Sequence, residues 1–278
     1  MIVCSLGYGY LSKFVFRRIC GLGIRAIGVT SKQLNDQDCN NIFFFRREDT
    51  KTAITSSTHL LITAPPNNEG CIIFRNFSKK IFSSNIKSII YISSTGVYGN
   101  HSGNWVDENS LLKTISPFDK IRVRAEKQWK NFCKKYNINL NIVRIAGIYG
   151  PQRFININKK DLMVVSKKNH YFSRIHILDA ARLVSKIILE NYKNEVWNLS
   201  DDLPSSREEF LLEVMKVKNI KKISTISFAK YSKTISERSK KFWLNNKRVS
   251  NYKVKDYFEY KFIFPTYING IKNLKDFL

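Results

Sequence analysis

Met1-Ile2-Val3-Cys4-Ser5-Leu6 runs directly into Gly7-Tyr8-Gly9-Tyr10-Leu11-Ser12, and this junction decides the fold. The first six residues form a short apolar run that ends at a glycine, the pattern of a buried strand. Leu11–Cys20 then carries apolar side chains at helical spacing (Leu11, Phe14, Val15, Ile19), and Gly21 and Gly23 end it. A glycine turn between a strand and a helix has a specific use. Gly7 permits the tight turn, Gly9 lets the backbone approach an anion closely, and Ser12 is small enough for helix and strand to touch. The helix N-terminus offers free N–H groups and the positive end of its dipole to the same anion. Gly7, Gly9, Tyr10, Leu11 and Ser12 are therefore candidates for holding the pyrophosphate of a dinucleotide.

Outward from this junction the chain alternates. Ile24–Val29, Asn41–Phe45, His59–Ala64, Ile86–Ser93 and Leu140–Ile145 read as strands, and Ile72–Phe82 and Ile121–Tyr136 as helices. The nearly continuous apolar run Ile89-Ile90-Tyr91-Ile92 fits a parallel strand covered on both faces. The β-α-β-α order predicts an α/β protein with a Rossmann-type, doubly wound parallel sheet. Residues 1–147 read as the dinucleotide-binding domain. Residues 148–278 read mainly as a small C-terminal substrate lobe, with elements at about 175–200 (a helix at Asp179–Glu190, a strand at Val196–Leu199) returning to the sheet. Arg207–Val217 reads as a further helix, and the tail from Lys218 as basic and irregular until Tyr267–Leu274.

Composition bounds the function. The chain has 278 residues, 43% of them hydrophobic, enough for a sizeable core. No apolar run reaches the ~18–20 residues that span a bilayer, and the start of the chain shows no secretory leader. A cytoplasmic protein with no membrane partner is expected. The five cysteines, Cys4, Cys20, Cys39, Cys71 and Cys133, are scattered without CxxC spacing, which argues for free thiols and against a structural metal. The net charge of +25 is spread along the chain. A solvated lysine-rich surface is the primary reading, and a nucleic-acid-binding face the weaker one.

The second strand ends in Gly28-Val29-Thr30-Ser31-Lys32. An acid at this point would hold the ribose hydroxyls of NAD. None is present. Thr30, Ser31 and Lys32 face the adenosine ribose in this reading, and Ser31 and Lys32 suit the 2′-phosphate of NADP, making NADP the preferred cofactor and NAD the alternative. Ala64 and Pro65, at the end of the fourth strand, line the same cofactor.

Ser93-Ser94-Thr95-Gly96-Val97-Tyr98-Gly99, Arg144-Ile145-Ala146-Gly147-Ile148-Tyr149-Gly150-Pro151, Arg174-Ile175-His176-Ile177-Leu178-Asp179 and Trp197-Asn198-Leu199-Ser200 occur in this order. The series resembles the extended branch of the short-chain dehydrogenase/reductase superfamily, which includes nucleotide-sugar epimerases and dehydratases, and the tail resembles its atypical members. The resemblance implies that Ser94 bonds a substrate oxygen, with Thr95 beside it. It also implies a tyrosine acid/base and a lysine four residues later. Counting back from Ala125-Glu126, those positions hold Phe118 and Arg122. Phenylalanine has no proton to give. Arginine holds ribose hydroxyls but is no proton shuttle. Tyr98 and His176 are the titratable candidates for the vacant role, and Arg144 and Arg153 the candidates for an anionic substrate. The leading expectation is an NAD(P)-dependent oxidoreductase or epimerase/dehydratase-like enzyme acting on a polar small molecule such as a nucleotide sugar. The alternative is a non-catalytic dinucleotide-binding protein with a redox-sensing, RNA-binding or protein-binding role. By analogy with the family, Phe74–Phe82 and Ile121–Tyr136 are the helices through which a homodimer would form.

Overall fold

A computed structural model of the chain describes residues 1–31, 41–153, 162–190, 194–220, 223–236, 240 and 243–274. Lys32 and Cys39 lie outside them. By contact the chain divides into two units: Met1–Ser94, Pro117–Arg144 and Ala180–Trp197 form the first, and Thr95–Ser116, Ile145–Asp179 and Asn198–Leu278 the second.

The first unit is built on a seven-stranded sheet. Its strands are β1 (Ile2–Leu6), β2 (Arg25–Thr30), β3 (Ile42–Arg46), β4 (His59–Ile62), β5 (Ser88–Ser94), β7 (Asn139–Ile145) and β11 (Glu195–Leu199), in the order β11-β7-β5-β4-β1-β2-β3. β1 pairs in parallel with β2 and β4, β2 with β3, and β4 with β5. The chain winds outward from β1 to β3, returns to β4 on the other side of β1, and continues away from it. This reversal beside β1 is the topological switch point at which open α/β sheets bind ligands. The expected Rossmann-type α/β fold is thus what the chain adopts.

Local sequence accounts for the elements. Helix α1 (Tyr10–Cys20) buries Leu11, Val15, Phe16 and Ile19, one apolar stripe. Helix α3 spans Ile72–Phe82. Helix α4 runs from Pro117 to Tyr136 and buries Ala125, Trp129, Phe132 and Cys133. It starts four residues ahead of the apolar periodicity because proline is favoured in the first helical turn, where no N–H partner is needed. Helix α2 (Thr50–Thr55) escaped the sequence reading, since six residues are too few to show a period. The cysteines Cys4, Cys20, Cys71 and Cys133 are buried and in no disulfide.

The second unit holds shorter elements. β6 (Trp105–Val106) pairs with β13 (Arg248–Val249), β8 (Gly147–Tyr149) with β10 (Arg174–His176), and β9 (Leu162–Ser166) with β12 (Ile223–Ser227), all in parallel. Helix α5 (Ile177–Glu190) begins in this unit and enters the first. Helix α6 (Arg207–Lys218) starts at a capping box in which Ser206 accepts from the Glu209 N–H and the Glu209 carboxylate accepts from the Ser206 N–H. Thr95–Ser116, which contains β6, belongs to this unit, where β6 pairs with β13. Among the described residues, no helix is long and apolar enough to cross a membrane, and no group of three or more His, Cys, Asp or Glu side chains gathers as a metal site.

Candidate functional site

A cavity of about 480 Å³ opens in the first unit at the C-terminal ends of β1, β2 and β4. Gly7, Thr30, Ser31, Ala64 and Pro65 line it. The glycine loop that forms its floor is fixed from three directions. Gly7 holds φ at +102°, and a Cβ placed on it would lie 2.6 Å from the Ala64 backbone nitrogen, so only glycine fits. Tyr8 wedges its ring between Phe16 and Phe44, with centroids 5.4 and 5.2 Å away. Gly28 leaves room for this packing: a Cβ there would meet the Phe44 ring at 2.9 Å. A chain of hydroxyls completes the fixation. Ser5 Oγ donates to Ser12 Oγ at 2.7 Å, Ser12 Oγ lies 3.3 Å from Thr63 Oγ1, and Thr63 Oγ1 donates to the Gly7 carbonyl at 2.6 Å. Since Thr63 spends its proton on Gly7, Ser12 is the donor between them. Thr63 and Tyr8 were not singled out from the sequence. Thr63 meets its partners from far along the chain, and the Tyr8 ring packs against Phe44 of a distant strand, so no local pattern marks either role.

The loop leads into α1 at Gly9. That residue is extended (φ −144°), no side chain caps the helix, and no acid lies in its first turn. Tyr10 is half-buried and Leu11 buried at the same start. The amides of the first turn therefore face no carboxylate of their own helix, and the dipole favours an anion there. Two glycines, Gly7 and Gly9, and a helix start with no side-chain cap fit a dinucleotide pyrophosphate on both steric and electrostatic grounds.

The remaining predicted residues are dispersed. Ser94, half-buried, ends β5 in the first unit. Thr95, buried, opens a 3₁₀ turn in the second, Thr95–Tyr98. Arg122 is half-buried on α4, and Phe118, in its first turn, is 49% exposed. Tyr98 is fully buried and donates its phenol proton to Asn198 Oδ1 at 2.7 Å; the Asn198 N–H in turn donates to Glu108 Oε1 at 2.7 Å. This arrangement gives Tyr98 a packing and tethering role in the second unit. Burial also pushes the Glu108 carboxyl above its ordinary range.

Arg144 departs most from expectation. It is 2% exposed in the first unit, and its guanidinium grips Glu126 through Nε–H to Oε1 at 3.2 Å and Nη2–H to Oε2 at 2.9 Å. Ser93 Oγ donates to the same Oε1 at 2.6 Å. A guanidinium committed to a buried carboxylate is a structural clasp of β5, α4 and β7, so Arg144 is not available to a substrate. Arg153 is exposed in the turn after Gly150.

His176 is also corrected. In the second unit it is 1% exposed and packed between Phe264 and Tyr149, at 4.2 and 5.2 Å between ring centroids. Its Nδ1 accepts the Leu178 N–H at 3.2 Å, which leaves the proton on Nε2. Burial pushes its pKa down to about 4, so it does not titrate near neutrality. Because the folded value lies below the ordinary 6.5, the unfolded chain binds the extra proton between pH 6.5 and 4. The stability this group contributes is complete above pH 6.5 and is lost as pH falls toward 4. His176→Asn, with an amide oxygen able to face Leu178, is expected to flatten that fall; His170, also pushed down to about 4, keeps its share. Urea titrations at about pH 7 and pH 5 check this, and equal slopes in both proteins would mean that the imidazole protonates freely in the fold.

Comparison with known proteins completes the picture. The sequence model of the NAD dependent epimerase/dehydratase family matches residues 69–200. A putative UDP-glucose 4-epimerase of Methanocaldococcus jannaschii is 25% identical over 145 residues, 47% of this chain and 47% of that protein. The dTDP-D-glucose 4,6-dehydratase of Dictyostelium discoideum is 22% identical over 156 residues, 48% and 35% of the two chains. The matches thus span less than half of these relatives. Among solved structures, a functionally unknown conserved protein from Silicibacter pomeroyi DSS superposes with a TM-score of 0.89 at 26% identity, covering 99% of this chain and 98% of that one. A UDP-glucose 4-epimerase from Thermotoga maritima, solved with UDP-glucose, gives 0.78 at 15% identity over 99% and 97%, a likeness of fold.

Proposed function

We propose that this chain, whose residues 69–200 match the model of the NAD dependent epimerase/dehydratase family, binds NADP(H), or else NAD(H), and acts on a polar small molecule such as a nucleotide sugar. The observation that carries the proposal is the cradle in the first unit: a turn at Gly7 that tolerates no side chain, followed at Gly9 by a helix start with no side-chain cap. In this reading Gly7, Gly9, Tyr10, Leu11 and Ser12 surround the pyrophosphate, Thr30 and Ser31 face the adenosine ribose, and Ala64 and Pro65 cover the cofactor. Residues 1–147 supply most of the cofactor domain, and the lobe beyond residue 148 most of the substrate contacts. A bound nicotinamide supplies hydride transfer. The chain's own part is to position: Ser94 and Thr95 orient the substrate oxygen, Arg122 holds ribose hydroxyls, and exposed Arg153 meets an anionic group.

Three observations favour a second reading. Phe118 and Arg122 occupy the places of the family's tyrosine and lysine, Tyr98 donates its phenol proton to Asn198, and His176 is neutral at physiological pH. A chain so furnished suits cofactor binding without turnover, as in a redox sensor. One pair of measurements separates the readings. Calorimetric titration with NADPH and NADH tests the cradle, and binding of neither removes both readings. Turnover of UDP-sugars by the wild type and by Ser94→Ala tests the chemistry. The enzyme reading expects Ser94→Ala to abolish turnover with cofactor affinity unchanged, whereas the sensor reading expects no turnover from either protein.

A further inference from the structure

The adenosine end of the cavity contains a cation that the glycine-loop motif does not point to. β2 and β3 run side by side with Thr30 opposite Arg46. One residue beyond that pair, Ser31 and Arg47 leave the sheet at the same level, and both line the cavity. Arg47 is anchored through its backbone: it heads a 3₁₀ turn, Arg47–Asp49, and its carbonyl accepts the proton of buried Thr50 Oγ1 at 2.6 Å. Its guanidinium is exposed and makes no hydrogen bond or ion pair among the described residues. Arg46, by contrast, turns to Glu48 at 3.9 Å. The described lining contains no carboxylate, and Arg47 is its only charged side chain. Glu48 and Asp49 follow in the chain and are exposed, but neither lines the cavity.

A diol-recognising site needs an acid at this edge. A phosphomonoester needs a cation with several donors and a small hydroxyl, since charge-assisted hydrogen bonds to phosphate are the strong ones and the guanidinium fork matches two of its oxygens. We infer that Arg47, together with Ser31, recognises an adenosine 2′-phosphate and so sets a preference for the phosphorylated dinucleotide. The inference rests on the dinucleotide reading above and assigns the selectivity to the turn after β3, a residue outside the motif at the end of β2.

The test is a titration of the full chain and of Arg47→Ala, Arg47→Lys and Arg46→Ala with NADPH, NADH, 2′,5′-ADP and 5′-ADP. The wild type is expected to prefer each 2′-phosphorylated ligand. Arg47→Ala should lose on the order of 10-fold to 100-fold affinity for NADPH and 2′,5′-ADP, with NADH and 5′-ADP unchanged. Arg47→Lys should lose less, because the charge survives and the fork does not, and Arg46→Ala should behave as wild type. Raising the salt should narrow the wild-type preference. A wild type that binds NADH as well as NADPH, or an Arg47→Ala protein that keeps the preference, overturns the assignment while leaving the dinucleotide reading standing. Failure to bind any of the four ligands overturns both.

Discussion

Arg144→Met should be among the most damaging single substitutions in the chain, although it touches neither cavity nor ligand. The change strands Glu126, a carboxylate whose side chain is 3% exposed, with the Ser93 hydroxyl as its remaining side-chain hydrogen-bond partner among the described residues. Breaking a buried pair by removing one partner costs about 3–5 kcal/mol, because the other charge remains desolvated. For a chain of this size that corresponds to a fall in Tm of roughly 6–20 °C. The double variant Glu126→Leu, Arg144→Met removes both charges together and is expected to recover most of the loss, since apolar replacement of a whole buried pair is often neutral or stabilising. Urea or thermal unfolding of the three proteins decides the matter. A loss below about 1 kcal/mol for Arg144→Met would mean that water or another group compensates Glu126 and that the clasp is weak. The location gives the pair its importance. It binds β5 through Ser93, the neighbour of Ser94, to α4 and β7, so the same substitution is expected to loosen the end of the strand that carries the candidate substrate-orienting hydroxyl.

The second large effect is at the glycine loop. Gly7→Ala introduces a methyl group 2.6 Å from a backbone nitrogen and 2.8 Å from the Ala64 Cα, neither of which is the end of a flexible side chain. The backbone conformation alone, φ +102°, costs a β-carbon-bearing residue about 1–3 kcal/mol. The loop must shift to relieve the contact, and a displacement near 1 Å in a positioned site carries a penalty on the order of 100-fold. Both NADPH and NADH affinity should fall together. Gly9→Ala provides the contrast. Its φ is −144° and a Cβ would meet nothing nearer than 3.6 Å, so the folded chain accepts it with little loss of stability. Any loss of affinity in that variant reports crowding by the pyrophosphate itself. If Gly7→Ala retains wild-type stability and binding, the turn is softer than its geometry indicates.

These two cases also show what a reader of the chain sees and what stays hidden. The glycine loop, the strands on either side of it and the helices α1, α3 and α4 were readable because their signals are local: a period of about 3.6, an apolar run, a glycine at a turn. The placement of Thr30, Ser31, Ala64 and Pro65 around one cavity followed from the topology those signals imply. The clasp was not readable. Glu126 appeared only as half of an alignment landmark and Arg144 as a cation free to meet a substrate, since nothing in a linear pattern says that two charges 18 residues apart share one hydrogen-bonded pair. Tyr98 and His176 were hidden for a related reason. Their residue types suit chemistry, but burial against Asn198 in one case, and between Phe264 and Tyr149 in the other, is decided by distant segments. The parallel pairs β6–β13 and β8–β10, two and three residues long, fall below the length at which alternation can be recognised. Arg47 was passed over because the reading stopped at the end of β2, while its neighbour across the register belongs to β3.

The two units are threaded through one another in sequence. The chain leaves the first after Ser94, returns at Pro117, leaves again after Arg144, returns at Ala180 and departs finally after Trp197. No single cut frees either one. A piece ending at residue 147 would carry the glycine cradle but lack β11, so β7, six of whose seven residues are buried, would become a bare sheet edge with unpaired backbone groups. Such an edge invites another chain to pair with it. The two units are in this sense not exchangeable parts: recombination cannot transplant one without carrying segments of the other, and change in either has to arise by substitution inside an intact chain.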